Sequence, residues 1–174
     1  MFKVLLVEDA PDQRALIQMV FKDADDVYTI DEADSGTIGV EMSKNGSYDI
    51  ILLDYMLPGC SGMELLKKLR ENGSKTPVLF MTAVKNATLT IEAMRLGISD
   101  FILKEGAFQL LLPAVVKRIL DKIALEKRLK EVEEDSRFQA EKLANLGKIL
   151  SEILHELRNP LSIISTGLEA LRDA

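Results

Sequence analysis

Short runs of consecutive apolar residues alternate with longer segments of helical periodicity up to about residue 105. The runs are rich in Val, Ile, Leu and Phe, and apolar side chains at successive positions are typical of strands buried on both faces. They are KVLLV (3–7), VYTI (27–30), DIILL (49–53), PVLFM (77–81) and DFILK (100–104). The pattern therefore predicts five buried strands.

The segments between these runs carry the signals that begin and end helices. Pro11 lies near the first position of one segment, Ser35 precedes the next, and Gly46, Gly73 and Gly97 follow segment ends. Strands that alternate with helices are joined by right-handed crossovers into a parallel sheet with helices on both faces. We therefore predict an α/β fold of the flavodoxin-like, doubly wound class, with a five-stranded parallel sheet in the order 2-1-3-4-5.

The pattern changes after Leu112, where charged residues dominate and glycine is nearly absent. Pro113 can begin a helix, and no clear helix breaker follows it before Pro160. A heptad counted from Leu129 is apolar at seven of its nine a and d positions, which predicts a parallel, dimeric coiled coil. These positions are Leu129, Val132, Ser136, Gln139, Leu143, Leu146, Leu150, Ile153 and Leu157. A solvated single helix stays open as the alternative, although it would expose the leucine stripe to water.

The apolar stripe widens beyond Leu146, because Ile149 falls at position g and Leu154 at position e. A two-stranded coil needs only a and d, whereas a four-helix bundle also buries e or g. We therefore expect residues 121–145 to form a coiled-coil linker helix and residues 146–174 to form the first helix of a bundle. Because a bundle of two protomers needs a second helix from each, we expect the chain to be part of a longer protein.

Composition narrows the classes of partner and compartment. The chain has 174 residues, of which 47% are apolar, and a formal net charge of −6. Such an acidic chain lacks the clustered basic face of nucleic-acid-binding proteins. The N-terminal apolar run ends at Glu8, and no run approaches the roughly 20 apolar residues of a membrane helix. The single cysteine, Cys60, excludes an internal disulfide and a zinc cluster. Together these features predict a cytoplasmic protein with no nucleic-acid partner and no membrane segment.

Polar residues follow four of the predicted strands. Glu8 and Asp9 come after the first strand, Asp54 after the third, Thr82 after the fourth and Lys104 after the fifth. Because the carboxyl ends of parallel strands share one edge of the sheet, we expect these side chains to converge in one crevice. Three carboxylates in one crevice repel one another, and a hard divalent cation such as Mg²⁺ relieves that repulsion. Carboxylates, a cation and a lysine are the components of a phosphoryl-transfer site.

Each of these residues also has a plainer interpretation. Glu8 and Asp9 could provide favourable negative charge at the N-terminus of the next helix. Asp54 could be a turn residue, Thr82 a helix cap and Lys104 a surface charge. Their joint occurrence at the ends of different buried strands favours the phosphoryl-transfer site.

The segments VLLVEDAPDQR, ILLDYMLPGCSGMELL, VLFMTA and DFILKE carry a family resemblance. Through them, residues 1–120 resemble the receiver domain of bacterial response regulators. The resemblance implies that Asp54 accepts a phosphoryl group. It also implies that Mg²⁺ is bound by Glu8, Asp9, Asp54 and the backbone carbonyl of Met56.

The same resemblance assigns roles at the ends of the last two strands. Thr82 and Lys104 would hold the phosphoryl oxygens, and Phe101 would be the aromatic side chain that turns inward together with Thr82. Two residues depart from the usual pattern. Glu8 replaces the more common aspartate but keeps the carboxylate, and Glu105 replaces a proline that often follows the lysine.

His155 is the only histidine in the chain. It falls at position f of the heptad, the outermost position, which disfavours a buried histidine. No second His or Cys lies three or four residues further on, which disfavours a metal ligand. A solvated histidine without function stays open from its position alone.

The sequence around this histidine, HELRNPL, resembles the phospho-accepting helix of the dimerisation and phosphotransfer domain of sensor histidine kinases. The resemblance implies that His155 accepts a phosphoryl group, that Glu156 is its acid or base partner, and that Asn159 helps to orient water in the phosphatase direction. The chain has no glycine-rich ATP-binding segment, so whether it is itself an enzyme stays uncertain. We expect it to be part of a receiver-containing, or hybrid, histidine kinase.

These expectations combine into a signalling protein of the two-component type. A continuous helix from Pro113 to His155 would be on the order of 60 Å long, too long for Asp54 to reach His155 directly. We therefore expect an upstream histidine kinase or a small phosphodonor to charge Asp54, a homodimer formed through the C-terminal helix, and a downstream response regulator. The alternatives are a phosphorelay between Asp54 and His155 and a non-catalytic dimerising adaptor.

Overall fold

Five parallel strands form a single sheet in the order β2-β1-β3-β4-β5 in the computed structural model of the protein. The strands are β1 (Phe2–Val7), β2 (Tyr28–Ala33), β3 (Ile50–Asp54), β4 (Val78–Thr82) and β5 (Asp100–Leu103). The structure describes residues 1–85 and 87–172, and in the helices it leaves the side chains of 87–89 and 155–172 undescribed. The predicted flavodoxin-like fold and strand order are confirmed.

The observed strands differ from the predicted ones mainly at their ends. β2 runs three residues further than the apolar segment that predicted it, because its exposed position at the sheet edge allows polar residues. Asp54 and Thr82 are the last residues of β3 and β4 and not the first residues of the following loops. Their backbones are therefore fixed by the sheet, since Asp54 pairs with Met81 and Thr82 with Leu103.

Helices cover both faces of the sheet. They are α1 (Pro11–Lys22), α2 (Gly36–Asn45), α3 (Gly62–Glu71), α4 (Ala87–Arg95) and α5 (Leu112–Arg172). Side chains alternate between the two faces along each strand, so Val4 and Leu6 pack with α1 and the start of α5, while Leu5 and Val7 pack with α3 and α4. The two apolar layers bury β3 completely.

The start of α3 is fixed by local hydrogen bonds. Ser61 is the N-cap: its hydroxyl accepts from the Glu64 N–H at 3.2 Å, and the Glu64 carboxylate accepts from the Ser61 N–H at 2.9 Å. This capping box satisfies two backbone donors at the helix start. Gly62 donates its N–H to the Tyr55 carbonyl at 2.8 Å, which ties the helix start to the residue after Asp54.

The chain divides into two compact units, Met1–Ala124 and Leu125–Ala174, and each contains part of α5. In the first unit, α5 follows a short 3₁₀ helix (Phe108–Leu111) that the sequence did not predict, and it buries Leu112, Val116, Ile119 and Leu120. In the second unit, every described side chain from 125 to 154 is exposed. A long C-terminal helix is thus confirmed, and its assembly into a coiled coil stays a prediction.

No helix in the described part of the chain has both the length and the apolar character that a membrane span requires.

Candidate functional site

The carboxyl ends of β1, β3, β4 and β5 meet at one edge of the sheet and carry the polar residues predicted there. Glu8 and Asp9 directly follow β1, Asp54 ends β3, and Lys104 directly follows β5. The hydrogen bonding of the sheet continues past the strand ends, since the Lys104 N–H donates to the Thr82 carbonyl at 2.8 Å. The backbone at this edge is therefore held by the regular part of the sheet.

The Lys104 ammonium lies between two buried carboxylates. Its Nζ is 2.6 Å from Glu8 Oε2 and 2.7 Å from Asp54 Oδ2. The side chains of Glu8, Asp54 and Lys104 are 1%, 6% and 15% exposed, so little water screens these charges. The ammonium therefore holds together the ends of three strands.

Glu8, Asp9 and Asp54 form a cluster in which one carboxylate oxygen of each residue lies within 4.8 Å of the others. Lys104 balances one of the three negative charges, so two remain to be balanced. Closely spaced carboxylate oxygens are the ligands that Mg²⁺ and Ca²⁺ take, and a divalent ion would balance the remaining charge. The donor set therefore fits a hard divalent cation.

Backbone amides orient the carboxylate oxygens that Lys104 does not contact. Asp54 Oδ1 accepts from the Met56 N–H at 3.1 Å, and Glu8 Oε1 accepts from the Ala10 N–H at 3.3 Å. Each of these two carboxylates is therefore fixed through both of its oxygens.

Burial and charge shift the pKa values of the groups around Lys104. Burial raises the pKa of Glu8 above its ordinary value of 4.5, while the hydrogen bond from Lys104 opposes the shift and the charge of Asp54 adds to it. Burial lowers the pKa of Lys104, but its hydrogen bonds to Asp54 and Glu8 outweigh burial and leave that pKa above 10.5. Lys104 therefore stays positively charged at neutral pH.

Residues 4–116 match the response regulator receiver domain. This match covers more than half of the chain and includes all five strands except the first residues of β1, together with Lys104. The chain belongs to the response regulator receiver domain family. Receiver domains accept phosphoryl groups in two-component signalling, and in this receiver three carboxylates cluster at the carboxyl ends of the strands.

Curated relatives of the receiver include regulators from two streptococci. The transcriptional regulatory protein DltR of Streptococcus agalactiae is 39% identical over 102 residues, which are 59% of this chain and 45% of that protein. The transcriptional regulatory protein CiaR of Streptococcus pneumoniae is 40% identical over 104 residues, 60% of this chain and 45% of that protein. The chain thus spans less than half the length of these relatives.

Solved receiver structures have the same fold. The receiver domain of the Francisella response regulator 1452 is 25% identical with a TM-score of 0.65, and the match covers 71% of this chain and 99% of that one. The response regulator domain of Thermotoga maritima CheB is 26% identical with a TM-score of 0.60, covering 68% of this chain and 93% of that one.

Two predicted site residues of the receiver are less closely tied to the carboxylates. The Thr82 hydroxyl accepts from the Val84 N–H at 3.0 Å, so it is engaged within its own turn. Met56 is 62% exposed and contacts Asp54 through its N–H, while metal binding by its carbonyl stays a prediction.

A small apolar pocket lies beside Thr82 in the receiver. Tyr55, Phe80, Ala93 and Phe101 are among the residues that line it. Phe101 is half-buried, and its inward turn stays a prediction.

The sequence did not identify Arg14 as part of the receiver site. Its guanidinium donates to the carbonyls of Glu8 and Asp9. The signal that could have suggested a role for Arg14 is its position, five residues after Asp9 and on the first turn of α1.

The predicted residues of the second phospho-accepting site cannot be placed in the same way. The side chains of His155, Glu156 and Asn159 lie outside the described residues. Their roles therefore stay predictions.

Proposed function

We propose that Asp54 is the phosphoryl acceptor of this receiver and that Glu8, Asp9 and Asp54 bind the Mg²⁺ ion that the reaction needs, with the Met56 carbonyl as a further ligand. The observation that supports the proposal is the position of Lys104 Nζ, which is 2.7 Å from Asp54 Oδ2 within a cluster of three carboxylates. An acceptor carboxylate beside a fixed cation is the arrangement that phosphoryl transfer requires.

The proposed donor is a phosphohistidine of an upstream histidine kinase or a small acyl phosphate. An Asp54 oxygen forms a bond to phosphorus while the bond from phosphorus to the donor breaks, and the donor leaves with that electron pair. The imidazole released from phosphohistidine takes up a proton from water, whereas the carboxylate released from an acyl phosphate leaves as the anion. In this proposal the Lys104 ammonium, which contacts Asp54, neutralises phosphoryl oxygens. The Thr82 hydroxyl accepts from the Val84 N–H and keeps its own proton to donate to a phosphoryl oxygen. Bound Mg²⁺ would supply additional charge neutralisation for the transferred group.

The test is phosphorylation of the purified chain by acetyl phosphate, followed by intact mass. We expect Mg²⁺-dependent addition of one phosphoryl group to the wild type and none to Asp54→Asn. Asp12→Asn, which removes an exposed carboxylate in α1, is the matched control and should behave as the wild type. Equal labelling of Asp54→Asn and the wild type would refute Asp54 as the acceptor.

We further propose that residues 1–120 are the receiver, 121–145 a coiled-coil linker helix, and 146–174 the first helix of a histidine-kinase dimerisation and phosphotransfer domain. The extent of α5, Leu112–Arg172, and the HELRNPL segment around His155 support this division. In this arrangement phosphorylation of Asp54 regulates the module that carries His155, and that module passes its phosphoryl group to a downstream response regulator.

The proposed homodimer forms through the a and d residues of the second unit. Leu129, Val132, Leu143 and Leu150 are each about three-fifths exposed or more in the single chain, and exposed apolar residues at this spacing favour pairing of helices. Charge also fits a second copy in parallel register. Arg128 at position g would face the partner's Glu133 at position e, because g and the following e of the other helix are adjacent in parallel coiled coils.

The homodimer is tested by light scattering of the full chain and of charge variants. We expect a dimer for the wild type, a weaker dimer for Arg128→Glu and for Glu133→Arg, and recovery in the double variant because the pair is restored with reversed signs. Lys127→Glu changes a charge at the outer f position and should leave the dimer unchanged. A monomeric wild type would refute the homodimer, and failure of the double variant to recover would refute the parallel register.

The direction of phosphoryl flow is tested with the dimer phosphorylated on His155 by a separate kinase. We expect no transfer of label to Asp54 at high dilution, because the receiver is proposed as an input to the module and not as its acceptor. Rapid transfer that is lost in Asp54→Asn would instead establish a phosphorelay. A receiver that shows no Asp54-dependent response to beryllofluoride and Mg²⁺ would instead be an adaptor.

A further inference from the structure

One guanidinium holds the backbone on which the acidic pair is placed. Arg14 Nη1 lies 2.8 Å from the Glu8 carbonyl oxygen and 2.9 Å from the Asp9 carbonyl oxygen. These two carbonyls belong to the turn between β1 and α1, and Arg14 is in the first half of α1. A single nitrogen therefore connects the helix to both residues whose carboxylates point into the site.

A second contact fixes the orientation of this guanidinium. Arg14 Nε lies 3.3 Å from Glu32 Oε2, near the end of β2, and Gln18 donates to the other oxygen of the same carboxylate. The Arg14 side chain is 18% exposed. Because Glu32 balances the charge of Arg14, the guanidinium adds little net positive charge next to a cation in the acidic cluster.

We propose that Arg14 is a positioning residue for the cation site: it fixes the two carbonyls so that the Glu8 and Asp9 carboxylates face the site, and it thereby increases Mg²⁺ affinity. This inference rests on the proposed function of the acidic cluster. Groups that orient metal ligands typically contribute 10–100-fold to metal affinity. Arg14 has two opposite effects on Mg²⁺ binding: its positive charge repels the ion, while the turn that it fixes favours binding. Because Glu32 neutralises the charge of Arg14, the effect of the fixed turn is the larger.

The planar shape of arginine suits this role better than the ammonium of lysine. The guanidinium contacts two carbonyls through one nitrogen and a carboxylate through another, at fixed angles. A lysine at position 14 has a single nitrogen, which could contact the two carbonyls but could not at the same time occupy the separate position from which Arg14 Nε contacts Glu32. Arg14→Lys should therefore recover only part of the affinity that Arg14→Met loses.

Arg70 provides a control with similar contacts and a different location. Its guanidinium donates to the carbonyls of Leu96, Gly97, Ser74 and Thr76, and it is half-buried. These contacts join α3 and α4 at the amino-terminal edge of β4, opposite the acidic cluster. Arg70→Lys should destabilise the fold without changing the cation site.

The experiment is a calorimetric titration of the full chain with MgCl₂ at constant ionic strength, with thermal unfolding of each variant measured in parallel. We expect the Mg²⁺ dissociation constant to rise about tenfold in Arg14→Met and about threefold in Arg14→Lys. In Arg70→Lys the dissociation constant should be that of the wild type, even if the midpoint of thermal unfolding falls as much as in Arg14→Met.

Asp9→Asn separates the failure of this inference from that of the proposed function. If the wild type binds Mg²⁺ and Asp9→Asn does not, equal affinity of Arg14→Met and the wild type would overturn the role of Arg14 alone. Equal weakening in Arg14→Met and Arg70→Lys would also overturn it, because the effect would then follow stability. If Mg²⁺ binding does not depend on Asp9, the cation site and the role of Arg14 both fail.

Discussion

Two lysines near the strand ends show how burial changes the energy of the same ion pair. Lys104 Nζ and Lys85 Nζ each lie 2.6 Å from a glutamate oxygen, Glu8 in the first case and Glu105 in the second. Lys104 is 15% exposed, whereas Lys85 is 67% exposed and its pair is screened by water. At the residue scale, the distance between two atoms is therefore less informative than their access to solvent.

Removal of the buried ammonium should destabilise the fold in the absence of Mg²⁺. We expect Lys104→Met to lower the free energy of unfolding at neutral pH by about 3 kcal/mol, because it leaves two buried carboxylates without a counter-charge. Lys85→Met should change it by less than about 0.5 kcal/mol. Urea unfolding measures both, and similar effects for the two variants would contradict the importance of burial.

Tyr48 provides a pH-dependent test at the same scale. Burial and the hydrogen bond from its hydroxyl to Asp31 Oδ2, 2.9 Å long, raise the pKa of Tyr48 to about 12. A raised pKa means that the folded state favours the protonated phenol. The resulting stability is complete below the ordinary value of 10 and is lost as pH rises toward 12.

We expect the ultraviolet titration of tyrosinate to show a component near pH 12 that is absent in Tyr48→Phe. Stability of the wild type should also fall more steeply between pH 10 and 12 than that of this variant. An ordinary titration near pH 10 for all tyrosines would contradict the role of Asp31.

At the scale of elements, the regular patterns of apolar residues along the chain predicted most of the strands and helices. Five apolar runs predicted the five strands, because strands buried on both faces need apolar residues at successive positions. The 3₁₀ helix Phe108–Leu111 was missed, since a single turn is too short to show a period. The close packing between the start of α3 and the end of β3 was also not predicted, because a contact between two separate elements leaves no periodic pattern in the sequence.

Gly62→Ala should disrupt the junction of α3 and β3. An added Cβ would lie 2.6 Å from the Asp54 carbonyl oxygen and 2.9 Å from the Tyr55 Cα, which are backbone atoms that cannot move without shifting the strand end. We expect a loss of about 1–3 kcal/mol in the free energy of unfolding.

Gly147 is the matched control for that substitution. An added Cβ there meets no atom within 4 Å, and Gly147 lies inside α5. Gly147→Ala should therefore stabilise the helix by less than about 1 kcal/mol. Circular dichroism should show a slightly higher helix content. Equal stability of Gly62→Ala and the wild type would contradict the close approach to Asp54.

At the scale of the whole molecule, the two units are expected to differ in what they need for stability. The first unit closes its core with the buried side chains Leu112, Val116, Ile119 and Leu120. The second unit has only exposed side chains among residues 125–154. Helices without a packed face are marginal in water, so the second unit should depend on pairing with another helix.

Two fragments test this difference. Residues 1–124 should fold cooperatively and remain monomeric, as measured by urea unfolding and light scattering. Residues 1–111 should be unfolded, because four buried apolar side chains contribute about 8 kcal/mol, which is comparable to the stability of a typical domain. A folded 1–111 fragment would show that the core is stable without the side chains of α5.

The sequence by itself determined the α/β class, the strand order and the edge at which Glu8, Asp9, Asp54 and Lys104 would meet. It could do so because periodicity is a property of neighbouring residues, and because all parallel strands end at the same edge of their sheet. The tertiary structure decided that Lys104 lies between Glu8 and Asp54, that Arg14 holds the carbonyls of the acidic pair, and that Gly62 has no room for a side chain. Those contacts depend on strand register and side-chain conformation across up to 96 positions of the chain, which no local pattern records.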